Sequence, residues 1–201
     1  MKITVWIDFV CPYAWTAQRW LFDLQKELGD DLEITWRYFS IEQVNKAEDA
    51  PNVWEHPNDG SSSTMRAFQG AHAAGKQGAD KYLAYMAALY NQRHINKRNL
   101  GTQQILEETA VQVGLDLDQF REDLKSDEVF EIFKNDHTEA VEKYGIFGVP
   151  TILFENGQSA YLRIKIGEPP VDPVAFWDEF VAIVRDRPTI LEIKRPTPPS
   201  A

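Results

Sequence analysis

"WIDFVCPYAW", residues 6–15, is the stretch whose reading decides the fold. An apolar run with strand character stops at Asp8-Phe9-Val10, and Cys11 is followed at once by Pro12 and a helical pattern. Upstream, Ile3, Val5 and Ile7 alternate in "KITVWIDF" (2–9), the period-2 signature of a strand. Downstream, Ala17, Trp20, Leu21, Leu24 and Leu28 recur at helical spacing over 12–28, with Pro12 in the first turn and Gly29 just past the end. "LEITWRYF" (32–39) places Leu32, Ile34 and Trp36 on one face of a second strand. Residues 2–39 therefore read as β-α-β, with parallel strands and a right-handed crossover.

Beyond this unit, residues 40–62 are polar and carry Pro51 and Pro57, which predicts a long loop of the kind that is usually functional. Residues 63–144 read almost wholly as helix, with breaks near Gly75–Gly78, at 91–99, at Gly114 and at 125–127. Strand patterns return in "TILFE" (151–155) and "AYLRIKI" (160–166), joined by the hairpin signal Asn156-Gly157. A closing helix over 171–186 carries the stripe Val174, Phe176, Trp177, Phe180, Val181 and Val184. The proline-rich tail predicts irregular chain strapped to the surface by Ile190, Leu191 and Ile193. The order is β-α-β, a helical block, then β-β-α: an α/β, thioredoxin-like split sheet with an all-helical insertion. Expected boundaries are 1–62 and 145–186 for the sheet domain, 63–144 for the insertion and 187–201 for the tail.

Composition narrows the partners. Hydrophobic residues make up 43% of the 201, enough for a real core. Lys plus Arg number 21 against 31 Asp plus Glu, a net charge of −10 that offers nucleic acid and anionic membranes no basic footprint. "MKITVWIDFV" lacks a secretory pattern, and no apolar run approaches the length of a membrane span, so cytoplasm is the expected location. Cys11 is the only cysteine, which excludes an intramolecular disulfide and any multi-cysteine metal site. No histidine pair has metal-ligand spacing, so no metal is assigned. Nothing in the acidic surface pattern chooses between monomer and homodimer.

A cysteine at a helix N-terminus has its thiolate favoured by the free N–H groups and the dipole there, and the expectation is an accessible Cys11 of lowered pKa. The competing reading is a buried cysteine acting as a small apolar residue. "GVPT" (148–151) weighs toward activity, because a Gly-Val-Pro leading into a strand looks like the loop that faces the active cysteine in thioredoxin-like proteins. Proline is the one residue for which a cis bond is cheap; the competing reading of Pro150 is a trans proline starting an edge strand.

The spacing of Cys11-Pro12, a long helical block and "GVPT" resembles the DsbA-like family in its cytoplasmic, largely bacterial branch. That branch includes kappa-class glutathione transferases, hydroxychromene-carboxylate isomerases, FrnE-type oxidoreductases and mycothiol-dependent reductases. The resemblance runs from "DFVCPYAW" through "ALYNQRHIN" and "KYGIFGVPTILFENG" to "IGEPP". It implies Cys11 as the reactive residue, Pro150 as a cis-proline, and backbone groups of Val149 offered to a bound thiol. One departure matters. Oxidoreductase members carry C-x-x-C and transferase or isomerase members typically carry serine first, whereas this chain has Cys11 with Ala14. A mixed disulfide on Cys11 then needs an outside thiol to resolve it. Two explanations stay open: Ala14 is native to a monothiol site, or it stands where a cysteine belongs.

Other residues are weighed against blander roles. Tyr13 is placed on the first turn, to hydrogen-bond a thiolate or stack on a ligand, and Trp15 reads as core. Trp54, His56 and Asn58 either shape a cleft or are solvated loop residues, the latter being favoured. His94, in "YNQRHIN", overhangs the cysteine as a partner for thiolate or carboxylate, or is a plain helix-end residue. His72 and His137 read as helix residues, His137 half-buried and satisfied on the stripe Val129-Phe133-His137-Ala140. Asp8, three residues before Cys11, is a candidate base that would also raise the thiol pKa.

The expected function is DsbA-like thiol–disulfide exchange or thiol transfer through Cys11, with Pro12, Tyr13, Val149, Pro150 and His94 binding the partner. The cosubstrate is a low-molecular-weight thiol (glutathione, mycothiol or bacillithiol) and the substrate a small disulfide or electrophile, with no tightly bound cofactor. The alternatives are a glutathione-dependent transferase or isomerase, and a thioredoxin-fold binding module that has lost turnover.

Overall fold

The computed structural model describes residues 1–55 and 62–196. It contains β1 (Lys2–Ile7), α1 (Pro12–Leu28), β2 (Glu33–Tyr38), α2 (Ile41–Asn45), α3 (Ser63–Lys76), α4 (Ala79–His94) and α5 (Gln103–Gln112). There follow α6 (Leu117–Asp123), α7 (Glu128–Tyr144), β3 (Thr151–Phe154), β4 (Ser159–Tyr161) and α8 (Pro173–Val184). The four strands form one mixed sheet in the order β2-β1-β3-β4, with β1 parallel to β2 and antiparallel to β3. This is the thioredoxin-like arrangement expected.

Central β1 is covered on both faces, so Trp6 is buried along with Ile3, Val5 and Ile7. Trp6 donates its indole N–H to the Asp136 carbonyl of α7 (3.2 Å) and packs on Tyr144. The Asp136 carboxylate accepts from the Tyr38 N–H (3.0 Å) and from Arg37 (3.1 Å), fastening α7 to β2. The next N–H, of Phe39, turns the other way and donates to Ile7 of β1 (2.9 Å). Trp20 of α1 meets Phe176, Trp177 and Phe180 of α8, so the apolar stripes of the first and last helices close on each other. Gly157, at φ +84, supplies the left-handed residue of the β3–β4 turn.

Within the helical block, α3 packs on α4 closely enough to need a glycine. A Cβ at Gly70 would lie 2.5 Å from the Tyr85 hydroxyl oxygen and 3.2 Å from Leu106. Tyr85 is buried and donates to the Leu106 carbonyl (3.2 Å). Gly70→Ala gains about 1 kcal/mol of helix propensity, but overpacking costs about 1–3 kcal/mol and a displaced buried hydroxyl about 1–3 kcal/mol. The expected outcome is a net loss of about 1–5 kcal/mol, read as a lower denaturant midpoint at unchanged slope.

Several sequence expectations are corrected. The loop over 40–62 opens with a helix, α2, whose Ser40 hydroxyl accepts from Gln43 N–H (3.0 Å); "SIEQ" (40–43) is a capping-box pattern that could have signalled it. Trp54 is not a solvated loop residue: it lies against Phe133 and His137. His56 and Asn58 lie outside the described residues. The strand expected over 160–166 ends at Tyr161. Its last bond is Leu162 N–H to Pro150 (3.0 Å), and β3 begins only at Thr151, so the next residues have no strand to pair with. They cross instead to α1, where Thr16 Oγ1 accepts from Gly167 N–H (3.0 Å) and Arg19 donates to the Gly167 carbonyl (3.2 Å). The tail is irregular over its described part but not strapped down, since Leu191 is 93% exposed and Ile193 68%. His137 is buried, and its Nδ1 accepts from Ser40 N–H (3.2 Å), the satisfied role expected.

Candidate active site around Cys11

Residues 8–11 turn the end of β1 into the start of α1, and side chains of the helical block hold that turn. Asp8 is fully buried, with Oδ1 accepting from Val10 N–H (3.0 Å) and Oδ2 from Ile41 N–H (2.9 Å). The Thr64 hydroxyl donates to the same carboxyl (3.2 Å), and the Tyr90 hydroxyl donates to the Asp8 carbonyl (3.3 Å). Burial pushes the Asp8 carboxyl up to about 7, against the pull of these backbone donors. His94 Nε2 donates to the Phe9 carbonyl (2.9 Å), and its ring stacks on Trp15. Burial lowers the His94 pKa to about 4, so at neutral pH it is an uncharged imidazole carrying its proton on Nε2.

Cys11 is the N-cap of α1, with Pro12 at the first helical position. Opposite lies the Val149-Pro150 bond, which is cis as the sequence suggested. The Cys11 thiol donates to the Val149 carbonyl (3.2 Å) and makes no capping bond to the helix. Cys11 is only 3% exposed, and its pKa lies above the ordinary thiol value. This corrects the expectation of an accessible thiol of lowered pKa. Burial is the largest cause; the Ala14 and Tyr13 N–H groups and the Arg163 charge favour the thiolate, and the Asp8 charge opposes it. The helix N-terminus acts as expected but is outweighed by desolvation.

The rim of the site is aromatic. Tyr13 is half-buried, with the Arg163 guanidinium over its ring at 4.1 Å and donating to its hydroxyl. Phe147, 70% exposed, meets Tyr161 edge-on. Trp15 is buried, as read from the sequence, and among the described residues its indole N–H has no acceptor. The fold thus brings Cys11, Pro12, Tyr13, Val149 and Pro150 together; His94 is at the same end of the sheet, turned to Phe9 and Trp15. Arg163 and Tyr161 were missed, because a strand pattern gives no sign of where its arginine crosses to another element. Among the described residues, no group of His, Cys, Asp or Glu side chains is arranged to hold a metal, and no helix is long and apolar enough to cross a membrane.

A cysteine at the N-cap position of a helix, its thiol facing a cis-proline loop on a split sheet, is the arrangement of a thioredoxin-like fold. The chain belongs to the DSBA-like thioredoxin domain family, whose model matches residues 2–175. It is 26% identical over 195 residues to the uncharacterized protein Rv2286c of Mycobacterium tuberculosis, covering 96% of this chain and 81% of that one. It is 25% identical over 191 residues to the ClpXP adapter protein SpxH of Halalkalibacterium halodurans, covering 83% of this chain and 62% of the relative. Among solved structures, the cytosolic disulfide reductase DsbM of Pseudomonas aeruginosa, with GSH, superposes with a TM-score of 0.61 at 15% identity, over 91% of this chain and all (100%) of that one. At that identity the likeness speaks for the fold alone.

Proposed function

We propose that this protein is a cytoplasmic thiol-exchange enzyme that works through Cys11 alone, with a low-molecular-weight thiol as cosubstrate. The observation that carries the reading is the Cys11 thiol held 3.2 Å from the Val149 carbonyl, at the N-terminus of a long helix and opposite the cis-proline. An incoming sulfur takes the place of that hydrogen bond, against the Val149 backbone and the Pro150 and Tyr13 rings, while His94 steadies the turn through Phe9. The thiolate attacks one sulfur of a disulfide, forming a mixed disulfide and releasing the other half as thiolate; a second small thiol then regenerates Cys11. DsbM, a cytosolic reductase recorded with GSH, supports glutathione as the first thiol to test.

A second reading, a binding module without turnover, is favoured by the burial of the thiol and by the adapter role of the SpxH relative. Intact mass after incubation with glutathione disulfide separates the two. The enzyme gains one glutathionyl group, loses it to free thiol, and shows neither event as Cys11→Ser. Because the thiol pKa is raised, the rate is expected to be low at pH 7 and to climb as pH passes the ordinary thiol value of about 8.5. Binding of glutathione with no bond at any pH would transfer the assignment to the transferase or isomerase alternative. Neither bond nor binding would leave the binding module.

A further inference from the structure

Arg163 leaves the sheet one residue after the last pairing bond, the one from Leu162 to Pro150. Its guanidinium is held over the Tyr13 ring and donates to the Tyr13 hydroxyl. Those contacts occupy one face and one N–H of a planar fork that carries five donors. Among the described residues Arg163 meets no carboxylate, although the chain holds 31 Asp plus Glu. The side chain is exposed, and its charge acts on both the Cys11 sulfur and the Tyr161 hydroxyl. A guanidinium positioned on Tyr13, two residues from Cys11 and within electrostatic reach of its sulfur, is suited to a planar anion, with bidentate geometry that a lysine does not offer.

We propose that Arg163 binds a carboxylate of the molecule that reacts at Cys11, so that the site selects anionic cysteinyl peptides of the glutathione type over uncharged or cationic thiols. This rests on Cys11 being the reacting group. In the step concerned, the Cys11 sulfur bonds to one sulfur of the disulfide, the S–S bond breaks, and the released half leaves as thiolate while the Cys11 proton passes to solvent. Cys11 is oxidised to the disulfide level and the departing sulfur is reduced. Arg163 touches the carboxylate, not the sulfurs. Mycothiol, whose cysteine is joined to uncharged sugars, fits such a site least well.

The test compares mixed-disulfide formation from glutathione disulfide, 2-hydroxyethyl disulfide and cystamine at low ionic strength. The glutathione rate is expected to exceed the hydroxyethyl rate by roughly tenfold, with cystamine slowest. Arg163→Gln should bring the ratio to about one, and Arg163→Lys should retain part of it. Using a ratio removes any change in thiolate fraction. Added salt should compress it, since an exposed pair is screened. Binding of S-methylglutathione, which cannot exchange, is followed alongside by NMR. Exchange without preference, or a preference that Arg163→Gln keeps, overturns the proposal. No exchange with any disulfide, but Arg163-dependent binding of S-methylglutathione, upholds Arg163 as the carboxylate-binding residue and overturns the exchange reading, and with it the claim that the bound molecule reacts at Cys11. Absence of both removes both.

Discussion

Between pH 4 and 7 the Asp8→Asn variant is expected to gain stability steadily on the wild type, by about 4 kcal/mol in all. The folded carboxyl has a pKa of about 7, whereas an unfolded aspartate sits near 3.9. Over that window the folded chain keeps a proton that the unfolded chain releases, so wild-type stability falls as pH rises from about 4 and levels off above 7. Asparagine has nothing to titrate. It sets an amide N–H against one of the two backbone donors, Val10 or Ile41, which offsets the whole curve downward without tilting it. His94 and His137, both lowered to about 4, act in the opposite sense: their contribution is complete above about 6.5 and is lost toward pH 4. They are common to both proteins and cancel in the difference. Denaturant unfolding at several pH values reads that difference directly, and parallel curves would mean that Asp8 is ionised throughout. The same variant removes a charge that opposes the Cys11 thiolate, so its alkylation profile should move to lower pH.

The second large effect belongs to Ala14→Cys. Ala14 is buried on the first turn of α1, and its N–H already favours the Cys11 thiolate. Side chains three apart on a helix have Cβ atoms roughly 5–6 Å apart, a spacing that modest adjustment at a helix start closes to a disulfide. A mixed disulfide on Cys11 would then be displaced from within. Its lifetime should shorten by at least about a hundredfold relative to resolution by millimolar thiol, because intramolecular attack replaces a bimolecular encounter. Quenched-flow mass spectrometry should find the internal disulfide in place of the glutathionyl adduct. A persistent adduct would show that position 14 cannot reach the sulfur, and that this backbone is adapted to a single thiol.

Much of this was legible because the signals are local. Alternation in "KITVWIDF", the periodic Ala17-Trp20-Leu21-Leu24 face and the Asn156-Gly157 turn each specify an element through its nearest neighbours. Pro12 after Cys11 marked the helix start, and "GVPT" marked the loop opposite it. What was not legible depends on packing between distant segments. The sign of the Cys11 shift is set by desolvation, which no motif encodes. The end of β4 depends on β3 starting at Thr151, and the place of Arg163 on where the following residues then cross. His94 was weighed as a partner for the thiolate or for a carboxylate; its actual partner, the Phe9 carbonyl, is 85 residues away and visible only once α4 is folded against the turn.

The link between Asp136 and Tyr38 has a consequence for how molecules of this protein meet one another. β2 is an outer strand of the sheet, and the Tyr38 N–H points away from β1, where a strand from a second molecule would look for a donor. The Asp136 carboxylate already occupies it, and the Arg37 guanidinium stands alongside. A charged pair at that position denies an approaching strand both a free donor and an apolar approach, which is how natural sheets guard against edge-to-edge aggregation. The contact that docks α7 thus also caps one donor on the outer edge of β2.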